Sequence, residues 1–188
     1  SLKLKSINKN LIDEIYKFKA PKSKPFYSLN NKIIGESYKS KINKISRILK
    51  INNADYLFIS AAENVAWTLN IRGHDNPNSP IPNCRLIVGK NKKFYLIAKK
   101  EKAKKIIKKK KINKNQIISP EKFSSLINKL EGNKFIIDSL SCSLLNENII
   151  KSKFQIINVD DPCYKLKSIK NSSEIKHMIN AHIKDGLA

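Results

Sequence analysis

The feature that most restricts the fold is a succession of short apolar runs set between helical patterns. Tyr56-Leu57-Phe58-Ile59-Ser60, Arg85-Leu86-Ile87-Val88, Phe94-Tyr95-Leu96-Ile97-Ala98, Gln116-Ile117-Ile118, Phe135-Ile136-Ile137-Asp138 and Phe154-Gln155-Ile156-Ile157 are each of strand length. Between Glu36 and Asn52, Ile42, Ile45, Ile48 or Leu49, and Asn52 fall at steps of three and four with lysines elsewhere, which predicts a helix with one buried face. The lysine run from Lys99 to Lys111 sets Ala103, Ile106 and Ile107 on one side, so a helix with a solvated basic face is expected there too. Leu144 to Ile150 and Pro120 to Leu130 predict two more, the latter with Ser119 as N-cap and Pro120 at the first helical position. Gly89-Lys90-Asn91-Lys92 is short and polar enough to close its flanking strands into a hairpin. Helix alternating with strand, plus one hairpin, predicts an α/β layered fold around a mixed sheet.

Composition bounds the function. A chain of 188 residues with 40% hydrophobic and 28% charged residues suits one soluble globular core with flanking pieces. No apolar run approaches the ~20 residues that a membrane-spanning helix requires. Ser1-Leu2-Lys3-Leu4-Lys5 leads into no apolar segment, so no signal peptide is read. Ser1 in place of an initiator Met, and an end inside a helical pattern at Gly186-Leu187-Ala188, predict a piece of a longer protein. The net charge of +23 suggests an anionic partner, yet only Arg47, Arg72 and Arg85 among 38 basic residues are Arg. Nucleic-acid readers favour Arg for bidentate contacts and aromatics for stacking, and neither is clustered here. The joint excess of Lys, Asn and Ile is what an AT-rich coding sequence specifies. Cys84, Cys142 and Cys163 have no C-x-x-C spacing, which argues against a zinc knuckle or redox dithiol and fits a reducing cytoplasm.

Function is concentrated, by residue type, between Asn64 and Pro82. This stretch holds the only Trp, Trp67, together with Arg72, Pro77, Pro80 and Pro82. Gly73, Asp75, Asn76, Pro77, Asn78 and Pro80 each oppose regular structure, so a loop flanked by a bulky aromatic and a planar cation is predicted. No catalytic residue or metal ligand is assigned. His177 and His182 are five apart and face different sides of a helix, and His74 with Asp75 falls short of a closed ligand set. No G-x-S-x-G elbow is present.

Trp67, Asn70-Ile71-Arg72-Gly73, Asp75 and Pro80 resemble the W-x-x-N-(I/L)-R-G-x-D-x-x-x-x-P signature of X-Pro aminopeptidases, the three-domain members of the creatinase/prolidase or pita-bread family. Asn10-Leu11-Ile12-Asp13-Glu14-Ile15-Tyr16 and Pro21 are loosely similar to the NLVDEIW-x-x-x-PP segment that closes the first domain there, with Tyr16 replacing Trp and one proline remaining. Lys170, Asn171, Glu174, Ile175, Met178, Ala181, His182, Asp185 and Gly186 match the K-(N/S)-x-x-E-(I/L)-x-x-M-x-x-A-H-x-x-D-G opening of the catalytic domain. Asn171 and Glu174 also form a capping box by spacing, ahead of an apolar face of Ile175, Met178, Ile179, His182 and Ile183.

The resemblance implies a ribonuclease-H-like three-layer sandwich over residues 36–161, after the tail of a preceding domain and a linker (1–35) and before a linker and first catalytic-domain helix (162–188). It implies a cytoplasmic enzyme that removes N-terminal residues preceding proline and forms a homodimer at full length. Two divalent ions, manganese by expectation, would be held by ligands beyond Ala188, leaving these residues non-catalytic and inactive alone. This domain would support substrate access and assembly, with no nucleic-acid or membrane partner. Trp67, Asn70, Arg72 and Asp75 become the substrate-facing candidates. Against that stand Trp67 as core packing and Arg72 paired with Asp75 as a loop brace. The alternative for the whole chain is a basic module for an anionic polymer such as nucleic acid.

Overall fold

The computed structural model describes residues 3, 5, 7, 9–16, 24–109 and 111–187. The linker expected from Ala20 lies outside them as far as Ser23, as do Lys110 and Ala188. The elements in chain order are α1 (Leu11–Ile15), β1 (Tyr27–Ser28), α2 (Asn31–Ile34), α3 (Tyr38–Ile51), β2 (Tyr56–Ile59), α4 (Ala62–Leu69), β3 (Ile71–Arg72), β4 (Arg85–Gly89), β5 (Phe94–Ile97), α5 (Lys100–Lys108), β6 (Ile117–Ile118), α6 (Phe123–Lys129), β7 (Lys134–Ile137), α7 (Leu144–Lys151), β8 (Gln155–Asn158), α8 (Pro162–Ser168) and α9 (Ser172–Asp185). Asn10 caps α1 by accepting from the Ile12 N–H, and Ser37 caps α3 in the same way from Ser40.

The main sheet runs β6-β5-β4-β2-β7-β8, with β2 antiparallel to β4, β4 antiparallel to β5, and the remaining pairs parallel. Successive residues of a strand point to opposite faces, and here both faces are covered. Leu57 and Ile59 of β2, Leu86 and Val88 of β4, and Ile136 of β7 pack with Ile45 and Leu49 of α3, Val65 and Leu69 of α4, and Ile106 of α5. Phe58, Ile87, Phe135 and Ile137 from the same strands pack with Phe123 and Ile127 of α6 and Ile150 of α7. That is why these runs are apolar throughout instead of alternating. Each such side chain contributes about 1.5–3 kcal/mol relative to exposure. The result is the three-layer α/β sandwich on a mixed sheet expected from the sequence.

Three details differ from expectation. Pro120–Lys122 is a 3-10 turn leading into α6, and the Ser119 side chain makes no capping bond. The Asp160-Asp161-Pro162 boundary starts a helix, α8, with Asp161 accepting from the Cys163 N–H and Pro162 in the first turn. The apolar residues of α9 stay largely open: Ile175, Met178, Ile179 and Ile183 are 46–56% exposed. Flanking residues also enter the core. Phe26 and Cys163 are fully buried in the α3–α4–α5 layer, and the Phe26 N–H donates to Lys102 O at 2.8 Å.

Asp55 ties the sheet together at one end. Its carboxylate accepts from the N–H groups of Asn133 (2.7 Å) and Lys134 (3.0 Å) at the start of β7 and pairs with Lys90 beyond β4 (2.6 Å). Gly132 is obligatory beside it: its φ is 140°, and an added Cβ would come within 2.8 Å of the Asp55 side chain. Burial alone would raise the Asp55 carboxyl. The Lys90 ammonium and the two backbone donors override that and hold it at about 2. A depressed folded-state pKa means stability present above the unfolded value of about 3.9 and lost as pH falls toward 2. Asp55→Asn is therefore expected to lower unfolding free energy by about 1–3 kcal/mol at pH 7, by urea titration. The gap to wild type should close between about pH 5 and pH 2; a gap unchanged at pH 2.5 would contradict it.

Candidate functional site

The signature stretch begins as helix: α4 carries Trp67 and stops at Asn70, whose φ of 54° and ψ of 41° lie in the left-handed region. Asn tolerates that conformation better than other residues bearing a Cβ. The reversed chain enters β3, which pairs antiparallel with β1 through Tyr27↔Arg72 and Ser28↔Ile71. The loop then closes on itself, the Gly73 N–H donating to Pro80 O at 2.9 Å. A Cβ on Gly73 would lie 2.6 Å from the Pro82 Cα, so this position admits only glycine.

Three cations converge on the carbonyl end of α4. Lys41 Nζ, reaching across from α3, donates to Trp67 O (2.9 Å) and Asn70 Oδ1 (2.8 Å) and lies 4.2 Å from the Trp67 ring centroid. Lys111 Nζ donates to Asn70 O at 2.9 Å. Arg72 Nη1 donates to Ala66 O (3.2 Å) and Ile71 O (2.9 Å). The Asn70 Nδ2 group donates in turn to Glu36 O at 2.8 Å, so one buried amide joins α4 to the approach of α3. The last-turn carbonyls of a helix carry partial negative charge, and cations there are stabilising. They are costly to desolvate all the same. Lys41 is 1% exposed, and burial pulls its ammonium down to about 8 against the opposing pull of Glu174 and Glu36. Burial likewise brings Lys111 to about 8, helped by Arg72 and Lys109, and lowers Arg72.

Trp67, Asn70, Arg72 and Lys41 line one cleft of about 250 Å³, closed on other sides by Ile34 of α2 and by Glu174 and Met178 of α9. Trp67 is half-buried, packing against the core while keeping a face in this cleft. Asp75 is elsewhere. It accepts from the Asn83 N–H at 2.6 Å and pairs with Lys102 of α5, so the Arg72–Asp75 brace that sequence proximity suggests does not form. Arg72 leans instead on α4 carbonyls. His74 is exposed and lies tilted against Tyr27, with ring centroids 5.0 Å apart. His177 and His182 are exposed on α9, and among the described residues no three His, Cys, Asp or Glu gather closely enough to hold a metal ion. Nor is any described helix long and apolar enough to cross a membrane.

Lys41 is the residue that sequence reasoning missed. Its signal was present: residues 41, 45 and 49 recur every four along the buried face of α3. A chain so rich in lysine masks one that points inward. Lys111 sits at the end of a lysine run and carried no such signal.

The chain belongs to the creatinase/prolidase N-terminal domain family, which matches residues 18–174. It is 32% identical over 190 residues to Xaa-Pro aminopeptidase ApepP of Drosophila melanogaster, covering 97% of this chain and 30% of that protein. It is 32% identical over 154 residues to Xaa-Pro aminopeptidase 1 of Dictyostelium discoideum, covering 74% of this chain and 22% of that protein. The X-prolyl aminopeptidase of Caenorhabditis elegans, described as a cytosolic enzyme with a di-nuclear active site, shares the fold with a TM-score of 0.79 at 21% identity, over 95% of this chain and 30% of that one. The chain thus spans less than a third of the length of these relatives.

Lys41→Met retains length and removes the donor. It is expected to cost about 1–3 kcal/mol, since the Asn70 amide oxygen and Trp67 carbonyl lose a charged partner. The pH dependence gives a sharper signature. A lysine near 8 when folded and near 10.4 when unfolded leaves the unfolded state holding more protons between those values, so stability rises with pH there. Urea unfolding of both proteins at pH 7.5 and pH 10 should show wild type gaining on Lys41→Met. A constant difference would mean that Lys41 is not desolvated.

Proposed function

We propose that this chain is a non-catalytic part of a metal-dependent X-Pro aminopeptidase, an enzyme that removes the N-terminal residue preceding a proline. The observation that carries the reading is the 32% identity to the Drosophila enzyme along 97% of the chain. The gathering of Trp67, Asn70 and Arg72 into one cleft supports it. The longer enzyme would be cytoplasmic and homodimeric, with two divalent ions, manganese by preference, bound by residues outside these 188. Within the chain, residues 1–35 would complete a preceding domain and linker, 36–161 form the sandwich, and 162–188 lead into the catalytic domain. The burial of Phe26 and Cys163 adds short flanks on both sides to the folding unit. Its role would be substrate access and assembly, with Trp67 and Arg72 facing the peptide and Asn70 fixing their geometry. The basic surface is then a solvated one, without a nucleic-acid partner.

Two assays test this. The 188-residue chain, purified free of contaminants, should cleave no X-Pro peptide with any added divalent ion; metal-dependent cleavage would overturn the non-catalytic assignment. In the longer enzyme, Arg72→Ala should lower kcat/KM by roughly ten- to a hundredfold, the rate equivalent of one charged hydrogen bond of ~1.5–3 kcal/mol. Asp75→Ala, which disturbs Lys102 instead, should not reproduce that loss. Normal kinetics with a lowered melting temperature would reduce Arg72 to a brace for α4.

A further inference from the structure

We propose that the cleft between α2, α9 and the end of α4 binds a carboxylate carried on an apolar body, with the free edge of Arg72 as the principal donor. The guanidinium has five N–H donors. Nη1 is committed to Ala66 O and Ile71 O, which fixes the plane of the group. Nε and Nη2 donate to nothing among the described residues, although Arg72 is half-buried and lines the cleft. A planar pair of donors held in place is the geometry that a carboxylate accepts in bidentate fashion.

The charge balance points the same way. Lys41, Arg72 and Lys170 line the cleft with Glu174 as the carboxylate facing them, and Lys111 stands behind at Asn70 O. Glu174, whose Oε2 accepts from the Asn171 N–H at 2.9 Å, acts on Lys41 together with Glu36, but the cations lining the cleft outnumber its carboxylate. The charged groups acting on Lys111 are Arg72 and Lys109, both cations. An excess of partly buried cations over carboxylates is costly, and an incoming anion relieves that cost. Apart from Asn70 and His177 the remaining lining is apolar: Leu29, Ile33 and Ile34, with Trp67 and Met178. The volume, about 250 Å³, falls below the ~300–1,000 Å³ of sites that enclose drug-sized ligands, so the occupant is one residue or a short acid.

The C-terminal residue of a peptide and a free apolar acid share this chemistry. Only the first source rests on the peptidase reading. The chain supplies its own reporter, since Trp67 is its single Trp and faces the cleft. Both core layers lie within the chain, so the 188 residues are the sample. Fluorescence is titrated with N-acetyl-leucine, N-acetyl-leucine amide, hexanoate and sodium chloride at constant ionic strength. The expected result is a saturable change with the acids, at least about tenfold weaker for the amide, and lost by at least about tenfold in Arg72→Gln of unchanged fold by circular dichroism. N-acetyl-leucine binding more tightly than hexanoate assigns the site to a peptide terminus, and the reverse to a free acid. Equal response to acid and amide, a response matched by chloride, or full binding by Arg72→Gln would each overturn the proposal. Should Arg72→Gln fail to fold, Arg72→Lys with Lys170→Gln takes its place, and undiminished binding there overturns it equally. Failure here leaves the X-Pro cleavage assay of the longer enzyme untouched.

Discussion

One buried amide holds the cleft at the end of α4 in place. Asn70 terminates α4 in a left-handed conformation, and its side chain joins Lys41 of α3 to Glu36 O ahead of that helix. Its carbonyl accepts from Lys111, which follows α5. Segments remote in sequence therefore meet at a residue 2% exposed to solvent. A polar network in such a place is stabilising only when complete, because each unpaired member pays the full desolvation penalty. It is complete here: no buried side-chain nitrogen or oxygen among the described residues lacks a partner.

The network also explains which of the chain's many positive charges matter. Lysines on the open face of α5 are solvated, and salt screens them beyond about 10 Å. Lys41, Arg72 and Lys111 are withdrawn from water and held against helix carbonyls, where their charge is screened much less. A net charge of +23 says little about binding, whereas a few desolvated cations around one apolar cleft say a good deal. The same three contacts fix the Trp67 ring and the Arg72 plane, coupling the shape of the cleft to its charge.

Much of this was legible in the sequence. The strands could be read because each feeds two cores at once, making Leu57-Phe58-Ile59 and Phe135-Ile136-Ile137 continuously apolar. The Asn171–Glu174 capping box was legible because a cap is local, and both bonds form, at 3.0 and 2.9 Å. Non-local partners were not legible. Asp75 stands three residues from Arg72 yet pairs with Lys102, because the Gly73–Pro80 closure turns the loop toward α5. Helix α8 went unseen because a proline after two aspartates marks a helix start as well as a boundary; the buried Asn64–Asp161 bond at 2.7 Å then fastens that start to α4. Lys41 was hidden by a composition that places lysine everywhere.

The central claim is that the Asn70 side chain, beyond its backbone conformation, organises the site. Asn70→Gly separates the two, since glycine adopts the left-handed conformation without penalty and offers no amide. The measurement is the unfolding free energy of this variant by urea titration beside wild type. The account predicts a loss of about 2–3 kcal/mol, from a buried ammonium and a backbone carbonyl each deprived of a partner. Stability equal to or above wild type would show that the turn alone matters and that the network does not hold the site.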